Sequence, residues 1–251
     1  MTDTRQQLDG KQLAELMNLI ADADSVELKM TVPDADSRRT IGALELDPID
    51  AQIRQVVFFD TPDLALNQRG LVVRARRSQG STDDSVIKLR PVVPSELPEE
   101  LRRLNDFVVE VDAMPGGYVC SASFKGKVPL GEVKQVLLGQ QSIRKLFSKP
   151  QRAFFKEHAD GLELDELSVL GPITVLKLKF DPSDFHRRMV AELWFYPDGS
   201  RILELSTKCL PAEAFQTGVE SRVYLASKGI DLSGEQQTKT KTALEFFVKR
   251  A

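Results

Sequence analysis

The sequence predicts an α+β protein: a β-barrel with an apolar outer face and a charged interior, with helices packed around it. Three observations carry this. First, Val73-Arg74-Ala75-Arg76 and Ile87-Lys88-Leu89-Arg90 alternate apolar and basic residues. A strand turns successive side chains to opposite faces, so each segment has one basic and one apolar face. Second, the same spacing returns in Glu27-Leu28-Lys29, Glu110-Val111-Asp112, Lys177-Leu178-Lys179 and Glu204-Leu205-Ser206, each with largely apolar neighbours. Third, helical spacing of apolar residues brackets these strands, as at Leu13, Leu16, Met17 and Ile20 near the start. A charged interior inverts the usual small barrel, which is filled by apolar side chains.

Taken in order, residues 8–21 form a short amphipathic helix and 25–32 the first strand, stopped by Pro33-Asp34. Residues 37–46 suit helix or strand. After a strand over 53–59, Asp60-Thr61-Pro62-Asp63 makes a turn, with Pro fixing φ and the Asp and Thr side chains free to cap a short helix. One helical turn over 64–69 ends at Gly70, a good C-cap. Strands follow at 71–77 and 86–91, joined by a Gly/Ser/Thr/Asp-rich hairpin loop. In residues 94–105 the acids come early and the arginines late, matching the helix dipole. Residues 107–113 read as a strand, 118–125 as irregular, 130–146 as a helix and 152–157 as a strand opened by Lys149-Pro150-Gln151. Residues 162–170 and 173–180 are strand-rich on either side of Gly171-Pro172. Strands at 190–196 and 201–206 flank the turn Pro197-Asp198-Gly199-Ser200. Residues 211–228 and 238–250 close the chain as helices.

Composition excludes several classes. With 41% hydrophobic and 28% charged residues, the chain is an ordinary globular one, and its 251 residues suit one domain spanning 1–251, with the barrel over 25–206 and helices over 211–250. A net charge of −3 provides no bulk field for nucleic acid, so any anion site must come from local clustering. Two distant cysteines, Cys120 and Cys209, suit a reduced cytoplasm and make a poor metal site, as do the two histidines. No apolar run is long enough to span a bilayer, so no membrane partner is expected. A homodimer stays open.

The ordered motifs resemble the CYTH superfamily of triphosphate tunnel metalloenzymes. Ser25-Val26-Glu27-Leu28-Lys29 resembles the N-terminal ExExK strand, and Phe59-Asp60-Thr61-Pro62-Asp63 with Leu66, Gly70 and Leu71 resembles the YYDTPDxxLxxxGxxLRxR segment. Ile87-Lys88-Leu89-Arg90 resembles the KxR strand, and Glu110-Val111-Asp112, Lys149 and Arg152 follow in the expected order. The similarity runs over about residues 25–243. It implies an eight-stranded antiparallel closed barrel, the triphosphate tunnel. Two positions depart from the pattern, since Ser25 and Ser206 stand where the family carries acids.

The resemblance implies Glu27, Lys29 and Glu110 as catalytic residues, with Glu27, Glu110, Asp112 and Glu204 holding Mg²⁺ or Mn²⁺. A buried triphosphate needs several fixed cations. Lys29, Arg74, Arg76, Lys88, Arg90, Arg152, Lys177 and Lys179 are the candidates. Carboxylates among them need a divalent ion to meet phosphate oxygens. Three activities stay open: hydrolysis of inorganic, nucleoside or thiamine triphosphate; cyclic AMP formation, as in the family's adenylate cyclase class; and polyphosphate or nucleotide binding without turnover, which the two serines favour. Lys239 and Lys241 resemble the basic segment near the end of several family members, with a solvated helix as the equal alternative.

Overall fold

In the computed structural model, residues 9–232, 236 and 239–248 are described. The ends of two expected helices, at Leu8, Thr238 and residues 249–250, lie outside them. Nine strands close into a barrel: β1 Ser25–Val32, β2 Gln52–Asp60, β3 Leu71–Ser78, β4 Asp83–Leu89, β5 Phe107–Met114, β6 Gly117–Val128, β7 Ser168–Phe180, β8 Met189–Phe195 and β9 Arg201–Cys209. Around the barrel they run β1-β5-β6-β4-β3-β2-β7-β8-β9 and back to β1. All neighbours are antiparallel except β1 and β5, which pair in parallel with Glu27 beside Asp112. The expectation of eight antiparallel strands is thereby corrected. A ring with an odd number of strands cannot alternate direction throughout, so a ninth strand requires a parallel pair.

The extra strand is β6, over the stretch read as irregular. Its inward positions include Ser121 and Ser123, which give no charge signal, yet it pairs with β5 and β4 along its length. Conversely, the two segments around Gly171-Pro172 are one bent strand, β7, whose register with β2 shifts between Val56 and Phe58. Gly171 sits at φ 142°, and a Cβ there would lie 3.1 Å from the Val56 carbonyl oxygen, so the bend needs glycine.

Among the described residues eight α-helices surround the barrel: α1 Gly10–Ala21, α2 Asp34–Ala43, α3 Ala65–Gln68, α4 Glu99–Arg102, α5 Glu132–Leu137, α6 Lys149–His158, α7 Ala214–Ser227 and α8 Lys239–Val248. The undecided stretch 37–46 is largely α2, with Asp34 and Asp36 in its first turn. The expected helix over 130–146 breaks into α5 and a 3₁₀ turn, and that over 94–105 likewise shortens to α4 after Pro98. The expected strand over 152–157 is α6. Ser148 caps it by accepting from the Gln151 amide, the Gln151 side chain accepts from the Ser148 amide, and Pro150 sits in its first turn. Gln151 is buried, donating to the Ser85 and Phe124 carbonyls and so tying α6 to β4 and β6.

The apolar faces of the strands point outward. Val57, Val73, Ala75, Ile87, Val109 and Ala122 pack under α1, α5 and α6 in one cluster with Leu16, Val133 and Phe154. Met30, Leu203 and Leu205 pack with Leu225 and Tyr224 of α7 in another. Among the described residues no helix is long and apolar enough to cross a membrane.

Candidate functional site

Because the outward faces form the core, the alternate residues of every strand meet inside the barrel. They line a cavity of about 280 Å³. Ten lysines and arginines face it, against four carboxylates. The carboxylates gather on one side, with lysines among them, and the arginines on the other. Lys88 and Arg90 from β4 and its end, Arg74 and Arg76 from β3, and Arg54 from β2 make a basic wall. Glu192 of β8, Glu204 of β9, Glu27 of β1, and Glu110 and Asp112 of β5 make an acidic one.

The turn after β2 sets the basic wall. Asp60 is buried, and its carboxylate accepts from the backbone N–H groups of Thr61, Leu66 and Asn67, while the Thr61 hydroxyl accepts from that of Ala65. These bonds satisfy the otherwise orphaned donors at the start of α3. Gly70 then turns at φ 76°, where a Cβ would lie 2.0 Å from the Arg90 carbonyl oxygen. The Arg90 amide donates to Gly70 O at 2.9 Å, which locks the start of β3 to the end of β4. The Asp-Thr-Pro-Asp segment is therefore structural, as expected from the sequence.

Every acid on the acidic wall is held by lysine. Lys29 Nζ lies 2.8 Å from Asp112 Oδ1 and 3.2 Å from Glu27 Oε2, and Lys88 Nζ lies 3.7 Å from Asp112 Oδ2. Lys125 Nζ reaches Glu110 Oε2 at 3.4 Å, and Lys208 holds the other oxygen of that carboxylate. Lys177 meets Glu192 at 3.0 Å, and Lys239 bridges Glu192 and Glu204, reaching the latter at 2.6 Å. Burial opposes ionisation of Glu27, Asp112, Glu110 and Glu192, yet the adjacent lysines win and hold all four below the usual carboxylate range. Burial likewise opposes the charge on Lys29, but Glu27 and Asp112 raise its pKa. Glu204 is the exception: burial raises it, because Lys239 is shared with Glu192 directly across the strand pair.

The basic wall lacks such matching. Arg76 pairs with Asp84 at 2.9 Å and Arg54 donates to Gln52. Arg74 and Arg90 make no ion pair with a described carboxylate, and Arg74 Nε is buried without a hydrogen-bond partner among the described residues. Burial, with Arg76 alongside, pushes the Arg74 guanidinium down to about 10. Burial also takes the Lys88 ammonium down to about 8, despite Asp112.

Of the residues expected at the site, Glu27, Lys29, Arg74, Arg76, Lys88, Arg90, Glu110, Asp112 and Lys177 line the cavity, and Glu204 adjoins it through Lys239. Two do not. Arg152 lies on α6 outside the barrel and donates to the Phe147 carbonyl, because the cap at Ser148 makes this stretch a helix. Lys179 is exposed near the end of β7, one inward step past the cavity. Sequence reading missed Arg54, Lys125 and Lys208, and left Lys239 open; Lys239 lines the cavity with its ammonium 5.2 Å from the centre of the Trp194 ring. Lys241 is exposed and lies 3.8 Å from Glu245. Lys208 stood one inward step beyond Ser206, so extending the alternation would have found it. Lys125 was lost with β6.

Among the described residues no three acidic, histidine or cysteine side chains gather into a cation site. Glu27 and Asp112 converge as a pair on Lys29 Nζ. Such a pair fits Mg²⁺, which is commonly held by one or two carboxylates plus phosphate oxygens of a substrate.

No known family model matches the chain, and no curated protein does. Solved structures do. A candidate adenylate cyclase from Bacillus halodurans aligns with TM-score 0.61 at 14% identity, covering 88% of this chain and 97% of its own. A candidate adenylyl cyclase from Hippeastrum, described as having a dominant triphosphatase activity, aligns with TM-score 0.60 at 16% identity, covering 87% and 94%. At these identities the likeness is one of fold, and it agrees at that level with the resemblance read from the sequence.

Proposed function

We propose that the barrel binds a triphosphate-bearing small molecule along its basic wall and hydrolyses it with the help of Mg²⁺ or Mn²⁺. One observation carries the reading: Arg74, whose Nε is buried without a hydrogen-bond partner, and Arg90 in the same cavity make no ion pair with a described carboxylate. Burying cations is costly unless they are paired, so cations without ion pairs inside the barrel suit a multiply charged anion. Phosphate oxygens take bidentate bonds from guanidinium groups, and Arg74, Arg76 and Arg90 supply them, with Lys88 as a point charge. The fold neighbours' descriptions, as cyclase and as triphosphatase, support a triphosphate ligand.

Glu27 and Asp112 would hold the metal. Bound there, the ion supplies a Lewis acid that draws charge from phosphate oxygens. Lys29, fixed between those two acids, keeps them ionised and oriented. The basic wall holds the phosphate chain in place, which is most of what phosphoryl transfer asks of a protein.

The second reading, binding without turnover, is favoured by Ser25 and Ser206. Both occupy inward positions, Ser25 opposite Glu110 and Ser206 opposite Lys29, and neither carries a charge. The test is phosphate release from inorganic triphosphate, ATP and thiamine triphosphate, with Mg²⁺, Mn²⁺ or chelator, and with cyclic AMP measured alongside. Metal-dependent release that is lost in Asp112→Asn and Lys88→Ala is expected. No release of phosphate or cyclic AMP from any substrate sinks the hydrolase reading and leaves the binder.

A further inference from the structure

We infer that the cavity takes up its triphosphate anion without a divalent cation, the protein's own arginines and lysines supplying the countercharge, with Lys125 and Lys208 both held on Glu110; this rests on the proposed triphosphate reading. The charge count leads there. Ten cationic side chains line the cavity. Opposite them stand Glu27, Glu110, Asp112 and Glu192 in the lining, Glu204 beneath Lys239, and Asp84 on Arg76. The excess is four positive charges. A triphosphate chain carries about four negative charges near neutral pH. The anion alone closes the balance, and a divalent ion bound with it overshoots by two.

The geometry at Glu110 agrees. Both of its oxygens are occupied, one by Lys208 and the other by Lys125 at 3.4 Å. Lys208 stands directly across from Glu27 on the β1–β9 pair, so it reaches one acid while facing another. Its side chain and that of Lys125 are about half exposed, at 52% and 44%, which places two ammonium groups where the cavity meets solvent. Ser25 and Ser206, the inward neighbours of this cluster, add no negative charge to offset them. The arrangement attracts an anion from water and leaves Glu110 no free oxygen for a metal. A metal can still enter at Glu27, which Lys29 meets through one oxygen, and at Asp112, whose Oδ2 lies 3.7 Å from Lys88 and outside hydrogen-bond distance, for the chemical step; capture does not require it.

Trp194 is the sole tryptophan of the chain and lines the cavity, so its fluorescence reports occupancy. Inorganic triphosphate is titrated into the full chain with excess chelator, then with excess Mg²⁺, and calorimetry repeats both titrations without relying on the reporter. The expected dissociation constants agree within about threefold. Lys125→Gln together with Lys208→Gln, checked by circular dichroism for the native spectrum, weakens binding in chelator by about tenfold or more, and Mg²⁺ recovers most of the loss once Glu110 is released. Binding only with Mg²⁺ overturns the inference and leaves the functional reading standing. Unchanged metal-free affinity in the double variant overturns the assignment to these lysines. Absence of binding in both conditions overturns the triphosphate reading itself.

Discussion

The two walls of the barrel interior differ in charge balance, one with its carboxylates matched by lysines and the other with cations in excess, and they are held in opposite ways. On the acidic wall each carboxylate has a lysine within reach, and four of those lysines, Lys29, Lys88, Lys177 and Lys239, are themselves largely buried in the barrel. On the basic wall Arg74 and Arg90 have no ion-pair partner among the described residues, and hydrogen bonds from backbone amides to the Asp60 carboxylate and between the Arg90 and Gly70 backbones fix the strands that carry them. Side-chain pairing thus stabilises one wall, while the other is placed by its scaffold and keeps its charge available. Removing a charge should therefore cost stability on the first wall and ligand affinity on the second.

Lys29→Ala gives the largest effect. It leaves Glu27 and Asp112 facing each other with one ammonium fewer, and Asp112 is 4% exposed. Breaking a buried pair from one side costs about 3–5 kcal/mol, which urea unfolding should read as a lower midpoint at unchanged slope. A loss under about 1 kcal/mol would mean that the acids rehydrate freely and that the acidic wall is not held by pairing.

Asp60→Ala tests the scaffold of the basic wall. It removes the acceptor for three backbone donors at a buried turn, and a loss of about 2–3 kcal/mol is expected from the same measurement. None of the residues that Asp60 hydrogen-bonds lines the cavity, so a fall in triphosphate affinity in this variant would show that β3 and Arg74 depend on the turn for their position.

Arg74→Met reverses the pattern. A cation with an unsatisfied buried Nε and no ion pair among the described residues is exchanged for an apolar side chain of similar length, so stability should hold or rise by about 1 kcal/mol. Thermal stabilisation by added triphosphate should shrink by about 1.5–3 kcal/mol, the worth of hydrogen bonds to a charged group. A destabilised variant with intact ligand response would erase the distinction between the walls.

The same contrast explains what could be read from the chain. Charge alternation every second residue made most inward positions legible, because a strand has a period of two and the apolar residues between had to pack outward. Glu27, Lys29, Arg74, Arg76, Lys88, Arg90, Glu110 and Asp112 were found this way. The alternation failed where the inward residues are small and neutral, so β6 and with it Lys125 were missed. Arg152 was misplaced because motif order outweighed local signals: Ser148, Pro150 and Gln151 spell a helix start, and the helix carries Arg152 outside the barrel. The parallel β1–β5 pair joins strands far apart in sequence, and no local pattern encodes it.

The smallest expected effect is one of pH, and it separates the walls within a single protein. Lys88 sits at about 8, below its ordinary 10.5, because burial disfavours its charge more than Asp112 favours it. Between pH 8 and 10.5 the unfolded chain therefore binds more protons at this site than the folded one, so the contribution of Lys88 to stability rises with pH across that window. An anion on the basic wall needs the protonated form, so triphosphate affinity should fall over the same window, by at most about tenfold per pH unit. Asp112 and Glu27 behave otherwise. Burial would raise them, but Lys29 holds them below 3.8 and 4.5, so their contribution is present above those values and is lost as pH falls through the lowered ones. Unfolding midpoints and triphosphate titrations measured from pH 7.5 to 9.5 should therefore diverge, with affinity declining while the acidic wall stays intact. If Lys88→Arg, whose charge persists over this range, keeps the same decline, the titrating group is not Lys88 and the basic wall is more solvated than its burial implies.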